Sequence, residues 1–212
     1  MATPRTGRPA GRPTDVQKRD AIVHAAWTLF LERGVEATPI DAVAQAAGVS
    51  KPTLYKHFPD KLALFEAGMR REVERIEAAQ AAPDLEGDLR AVLRRFGAGL
   101  MAFLFSDPAI DFYAKLAGDV RRHERLARIF YDHGPGRTRA SLAAILAAAR
   151  DRGELVIDDA EEAAEHLFGL WQGFSNLQLS LGLEAKRIRD TVDRRVEAGL
   201  DAFLRAYGAP SP

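Results

Sequence analysis

The sequence predicts an all-α protein, on three observations. Apolar residues recur at three- and four-residue spacing along most of the chain, alternating β-type runs are nearly absent, and most apolar stretches are bracketed by helix start and stop residues. The expected architecture is an N-terminal three-helix unit followed by a larger helical domain, with about nine helices in all. At 212 residues and 47% hydrophobic content the chain has enough apolar material for a core.

Residues 1–13 carry Pro4, Pro9, Pro13, Gly7 and Gly11 with Arg5, Arg8 and Arg12 and no acid, the composition of a flexible basic arm. Thr14 and Gln17 have the spacing of a capping box, and Ile22, Ala25, Ala26, Leu29 and Phe30 follow at helical period until Gly34. A second helix is expected from Thr38-Pro39-Ile40-Asp41, with Thr38 as cap and proline at the first helical position. Ser50 is the expected cap of a third helix, with Pro52 in its first turn, where a missing N–H is harmless. Pro59 ends that helix. Asp60 caps a fourth, over 61–82, whose apolar face is Leu62, Phe65, Met69, Val73 and Ile76. Further helices are expected near 85–105, 108–122, 124–152 (interrupted at Gly134-Pro135-Gly136), 159–181 and 185–207, with caps at Asp107-Pro108 and Asp158.

Charge is balanced at 30 basic and 30 acidic residues, yet residues 1–61 hold nine Lys/Arg against six Asp/Glu. The local excess is modest and supports a nucleic-acid partner without requiring one. The absence of cysteine excludes disulfides, thiol nucleophiles and cysteine-ligated metals. No apolar run is long enough to span a membrane and no secretory leader is legible, so a cytoplasmic protein is expected. Nucleophile elbow, phosphate loop and HExxH are all missing from the sequence, and no enzyme activity or cofactor is expected. Asp119 with His123, and Glu162 with His166, are one turn apart, but such pairs arise often by chance and are read as salt-bridged surface rather than metal ligands.

Residues 49–61, VSKPTLYKHFPDK, read as a short helix exposing small polar, aromatic and basic groups and holding Leu54 back for the core. Counted from Ile40, Ala44 is the fifth residue, Gly48 the ninth and Leu54 the fifteenth. A close helix crossing needs a small residue at the fifth, a tight turn needs positive φ at the ninth, and the fifteenth returns to the core. Together these make a helix-turn-helix, the unit that lays its second helix in the DNA major groove. On this reading Thr53 and Tyr55 reach base edges or phosphates, and Ser50, Lys51 and Pro52 form the helix start. Lys61 clamps phosphate, and Lys56 and His57 touch the backbone. Leu54 and Phe58 belong to the core. The repeated Gly-Arg-Pro of the arm offers Arg8 and Arg12 to an A·T-rich minor groove, or gives only nonspecific attraction.

Residues 14 to about 80 resemble the N-terminal domain of the TetR (tetracycline-repressor-like) family of bacterial regulators. The resemblance rests on Gly34-Val35, Thr38, Val43-Ala44, Ala46-Ala47-Gly48-Val49-Ser50-Lys51, Thr53-Leu54-Tyr55, His57-Phe58 and Lys61. It implies a homodimer that binds a palindromic operator and releases it when a small molecule enters the C-terminal domain. That places the DNA-binding domain at 14–60 and the ligand and dimerisation domain at 61–212, with the fourth helix as link. Pro39 stands where the family usually has a hydroxyl residue on phosphate, a contact that Thr38 is expected to take over.

The candidate lining is Met69, Phe96, Leu100, Met101, Phe103, Leu104, Phe112 and Tyr113, with Phe168, Trp171, Gln172, Phe174 and Asn176. Aromatics interleaved with amides suit an apolar or aromatic ligand, although each residue alone reads more readily as core. Leu167, Leu170, Leu177, Leu181, Val192, Val196, Leu200 and Phe203 give the last helices more than one apolar face, which calls for a second subunit or for a wholly internal helix pair. The expected function is a ligand-responsive repressor. An activator, a partner-regulated DNA-binding protein without a small ligand, and a helical enzyme or carrier are the alternatives.

Overall fold

The computed structural model describes residues 14–80 and 88–210, with the side chains of 75–80 excepted. Its described residues form twelve helices: α1 (Asp15–Arg33), α2 (Ile40–Ala46), α3 (Lys51–His57), α4 (Lys61–Gln80), α5 (Leu89–Leu104), α6 (Asp107–Val120), α7 (Glu124–His133), α8 (Pro135–Asp151), α9 (Ala160–Gln172), α10 (Ser175–Ser180), α11 (Ala185–Asp190) and α12 (Val192–Tyr207). The only extended pairing among them is an isolated bridge between Leu155 and Gly208. No described helix is long and apolar enough to cross a membrane.

The count exceeds nine because three expected helices are interrupted. The break at Gly134 is the anticipated one. Gly173 adopts φ +48 and separates α9 from α10, and Thr191 separates α11 from α12. Local capping follows the sequence at several ends. Thr14 and Gln17 close a reciprocal capping box on α1, Ser50 accepts from the Thr53 N–H, and Asp60 accepts from the Ala63 N–H at 2.7 Å. The cap of α6 is Ser106, one residue before the expected position, and that of α9 is Asp159 rather than Asp158.

Two apolar clusters organise the molecule. One joins α1–α4 around Ile22, Phe30, Leu54, Phe58, Leu64 and Phe65, and it is completed by Phe112 and Leu116 of α6 and Leu126 and Ile129 of α7. The other gathers α5, α8, α9 and α12 around Leu93, Met101, Leu146, Leu167, Trp171, Val196, Leu200 and Phe203. Helix α4 crosses α1 where Gly68 meets Trp27: a Cβ there would lie 2.6 Å from Trp27 Cε3. Trp27 cannot easily yield, because it packs against Phe65 and Phe112 with ring centroids 6.1 and 5.4 Å away. Trp171 fills an equivalent notch twice over, since added Cβ atoms at Gly97 of α5 and Gly199 of α12 would come within 2.8 and 2.7 Å of its ring.

The corner between α1 and α2 is held from the second half of the chain. The Asp119 carboxylate of α6, nearly buried, accepts the Val35 N–H at 3.1 Å and the Glu36 N–H at 3.2 Å. One turn earlier on α6, Lys115 donates to the Leu31 carbonyl at 2.8 Å. The pair therefore satisfies both polarities of a helix end: a free carbonyl of the last turn and the free amides beyond it. Asp119 does not pair with His123 as the one-turn spacing suggested; His123 instead faces Glu36 at 3.5 Å. Glu162 and His166 do approach, at 3.9 Å, and His166 Nδ1 meets the Tyr207 hydroxyl at 2.6 Å.

Gly68→Ala is expected to lower stability by about 1–2 kcal/mol, because overpacking against Trp27 outweighs the gain in helix propensity. Asp119→Ala is expected to cost about 2–3 kcal/mol by leaving the buried Val35 N–H without an acceptor. Urea unfolding monitored by helical circular dichroism checks both; unchanged midpoints contradict them.

Candidate nucleic-acid interface

The turn before α3 is built as the spacing requires. Gly48 adopts φ +65, and an added Cβ there would meet no other atom within 4 Å, so the constraint is backbone conformation rather than space. Ala44 is buried at the α1–α2 crossing. Leu54 is fully buried and Phe58 nearly so, with the Arg19 guanidinium 5.1 Å above the Phe58 ring. With its apolar side anchored, α3 turns Lys51, Pro52, Tyr55 and Lys56 to solvent, with Ser50 exposed just before them and Thr53 half-exposed.

The electrostatics of this face are set by a few contacts. Lys51 Nζ lies 2.8 Å from the Asp41 carboxylate of α2, and this hydrogen bond and charge hold the ammonium's pKa above its ordinary value. The bridge is exposed and contributes orientation rather than stability. Ser50 Oγ and Thr53 Oγ1 are 2.8 Å apart, so the Thr53 hydroxyl already has one partner. Lys56 Nζ lies 3.5 Å from Asp15 at the start of α1. The Tyr55 side chain has no such anchor described and is 46% exposed.

Three expected contacts are corrected or qualified. Thr38 is 0% exposed, and its hydroxyl donates to the Gly34 carbonyl at 2.7 Å with the Leu29 carbonyl at 3.3 Å. It neither caps α2, whose N-cap is Pro39 without a side-chain bond, nor reaches outward to replace a phosphate ligand. The His57 side chain is only 8% exposed. Its Nε2 is 3.4 Å from Asp15 but is not aligned for a hydrogen bond, so it is folded under the helix rather than offered to DNA backbone. Lys61 Nζ donates to the Glu36 carbonyl at 2.9 Å, tying α4 to the α1–α2 corner while leaving two ammonium protons for another acceptor. Arg8 and Arg12 lie outside the described residues.

The expected ligand lining divides between the two cores. Met69 and Phe112 are buried in the N-terminal cluster, where Phe112, Tyr113 and Phe130 form an aromatic trio with centroids 5.6–6.4 Å apart. Burial pushes the Tyr113 hydroxyl up to about 12. Phe96, Leu100, Met101, Leu104, Phe168 and Trp171 belong to the C-terminal cluster. Phe103 and Gln172 are half-buried. Phe174 and Asn176 are corrections: they are exposed, Phe174 at 81%, because the Gly173 break turns them away from the core.

The expected subunit-contact residues divide as well. Leu167, Val196, Leu200 and Phe203 are fully buried within the chain, so they are its own core and not a surface for another subunit. Val192 is half-buried. Leu170, Leu177 and Leu181 are exposed, together with Phe174 and Leu183, all between the end of α9 and the turn after α10.

Sequence reasoning missed Lys115 and read Asp119 only as a surface partner of His123; the partners of both are backbone atoms 83–84 residues away. No short-range pattern carries such a contact.

The family profile described as bacterial regulatory proteins of the tetR family matches residues 22–67, and that of the AefR-like transcriptional repressor C-terminal domain matches 91–209. The solved structure of the flavonoid-responsive regulator FrrA superposes with a TM-score of 0.78 at 37% identity, covering 92% of this chain and 100% of FrrA. Among characterised relatives, the transcriptional activator FasR of Mycolicibacterium smegmatis is 37% identical over 101 residues, 42% of this chain and 46% of FasR. The transcriptional repressor BepR of Brucella suis biovar 1 is 28% identical over 174 residues, 76% of this chain and 79% of BepR. One profile falls on the helix-turn-helix described above and the other spans the helical body behind it, and with FrrA matched along its whole length the chain belongs to the TetR family of DNA-binding transcriptional regulators.

Proposed function

We propose that this regulator is a repressor that binds a two-fold symmetric operator as a homodimer and leaves it when an apolar, aromatic small molecule enters the C-terminal domain. The observation that carries the reading is the contrast across α3. One side is locked into the core by Leu54, and the other presents Lys51, Thr53 and Tyr55 with Ser50 at the helix start. A helix entering a major groove needs that division: side chains of the outward face read base edges while the helix start meets phosphate. The repressor sense is supported by the AefR-like repressor profile and by BepR. The similarity to FasR favours an activator as the second reading. A promoter reporter with and without the protein separates the two.

The dimer rests on Leu170, Phe174, Leu177 and Leu181, large apolar groups exposed within twelve residues of one another in the chain. Two copies joined there have to set their α3 helices about 34–36 Å apart to enter successive major grooves. Ligand response needs only modest coupling, since about 1–3 kcal/mol between sites changes affinity roughly 5–150-fold. Helix α4 belongs to the N-terminal core through Phe65 and Met69, and α6 and α7 bring Phe112, Leu116, Leu126 and Ile129 into the same core, so a shift of these helices is felt at α3. That an aromatic molecule supplies the differential binding is consistent with FrrA, a regulator described as flavonoid-responsive.

Lys51, Thr53 and Tyr55 changed together to alanine are expected to weaken binding to a duplex selected from random sequence by about 100-fold or more, at about 1–3 kcal/mol per lost contact, with helical content unchanged. Retained selective binding by the triple variant overturns the assignment of this face. Phe174→Glu with Leu177→Glu, both at exposed positions, is expected to give a monomer of 23.3 kDa by light scattering where the parent chain gives a dimer. A dimer that survives the double change places the interface elsewhere.

A further inference from the structure

Four of the eight residues from Arg121 to Arg128, in the turn between α6 and α7 and the first turns of α7, are arginines, and all four are exposed. Two are neutralised: Arg128 by Glu124 at 2.7 Å and Arg125 by Asp60 at 3.0 Å. The surplus therefore sits in the turn itself. Arg121 has no acidic partner among the described residues, and Arg122 uses only its Nε–H, on the Gly118 carbonyl at 3.1 Å. The adjoining α1–α2 corner repeats the pattern. Lys115 and Lys61 donate to the carbonyls of Leu31 and Glu36, and neither lies in an ion pair. The acids at this corner are engaged elsewhere, since Asp119 accepts two amides and Glu36 faces His123.

The α6–α7 turn adjoins the helix-turn-helix through three contacts. His123 lies 3.5 Å from Glu36, Arg125 reaches Asp60 directly before Lys61, and Lys61 Nζ is 2.9 Å from the Glu36 carbonyl. From Glu36 the chain runs five residues to Asp41, whose carboxylate bridges to Lys51 at the start of α3. Five residues span at most about 18 Å, the length of about five base pairs at roughly 3.4 Å each. The corner is therefore within about half a turn of duplex from the start of the recognition helix.

Cations without acidic partners hold mobile counter-ions, and a phosphate that replaces those ions gains affinity from their release. Lys61, Lys115 and Arg122 are each tethered by one bond to a backbone carbonyl, so less side-chain freedom is lost when a phosphate is met. All three keep further N–H donors. Arg121 brings a whole guanidinium fork, which suits two phosphate oxygens at once.

On this placement we propose that Lys115, Arg121 and Arg122, continuing from Lys61, form a second DNA contact, by which the body of the protein grips phosphates flanking the base pairs read by α3. This rests on the reading of α3 and Lys61 as facing DNA and adds to it an edge outside the helix-turn-helix. Contacts to phosphate carry no base information, so this edge lengthens the footprint and raises affinity while leaving the choice of sequence to α3.

The test uses the full-length chain and a duplex selected from random sequence, carried within a longer fragment. Hydroxyl-radical cleavage reads protection of the sugar–phosphate backbone, and affinity is measured from about 50 to 200 mM salt. The expected result is protection that runs beyond the base pairs whose substitution abolishes binding. Arg121→Ala with Arg122→Ala is expected to lose protection of those flanks alone, to lower the salt slope by about 2 per bound chain and to weaken binding about ten-fold or more at low salt, with the selected sequence unchanged. Arg121→Lys with Arg122→Lys keeps both charges and recovers most of the slope. Arg121→Ala alone, at a side chain with no partner in the fold, lowers the slope by about 1 and carries the test should the double variant unfold. An unchanged slope with intact flank protection in the alanine variants, or a lysine pair whose slope matches the alanine pair, overturns the second contact. A chain that selects its duplex without any flank dependence loses this edge and keeps the recognition face, whereas a chain that selects no duplex loses both.

Discussion

The placement of the DNA-facing helix depends on how the α1–α2 corner is held. Residues 31–38 carry the backbone from the end of α1 into α2, and the polar groups released there are taken by Thr38 within the segment and by side chains from elsewhere in the chain. Asp119 accepts two amides, Lys115 and Lys61 each donate to a carbonyl, and Thr38 turns its hydroxyl back onto Gly34. Charge-assisted bonds to backbone are among the stronger polar contacts, and those of Asp119 are largely shielded from water. Each also has a direction, which apolar packing lacks. The corner is thereby fixed in orientation as well as position, and α2 and α3 inherit that orientation through Ala44 and Leu54.

This arrangement makes the N-terminal unit less separate than its length suggests. Its apolar core is finished by four residues of α6 and α7, and its polar corner is closed by two more from α6. Helix α4 contributes to the same core along Leu64, Phe65, Ala67 and Met69, so it buries more than the single stripe expected from its sequence. A change in the body of the protein has two routes to the recognition helix. One is apolar, through α4, and the other is polar, through α6.

What was legible in the sequence follows from the range of the signals. The capping box at Thr14, the cap at Ser50, the positive φ at Gly48 and the return of Leu54 to the core are set by neighbours within a few residues, and all are present in the structure. Thr38 misled because a hydroxyl before proline has the chemistry of a cap, and nothing local reveals that carbonyls of the preceding helix claim it. The break at Gly173 was hidden inside an apolar run whose period continues on either side. The last helices were read as having more apolar surface than one layer can cover, but periodicity does not say which stripe meets its own chain, and that of α12 is covered by it. Val196, Leu200 and Phe203 went inward, and Leu170, Leu177 and Leu181 stayed outside. Asp119 was legible only as one half of an unremarkable pair, since its true partners are distant amides.

The double notch around Trp171 has a mechanical consequence. A rigid bicyclic ring seated between glycines of α5 and α12 works as a dowel: it resists slip of either helix along α9, yet leaves them free to turn together. Sliding α5 or α12 along α9 would therefore require the Trp171 ring to leave its notch against Gly97 or Gly199.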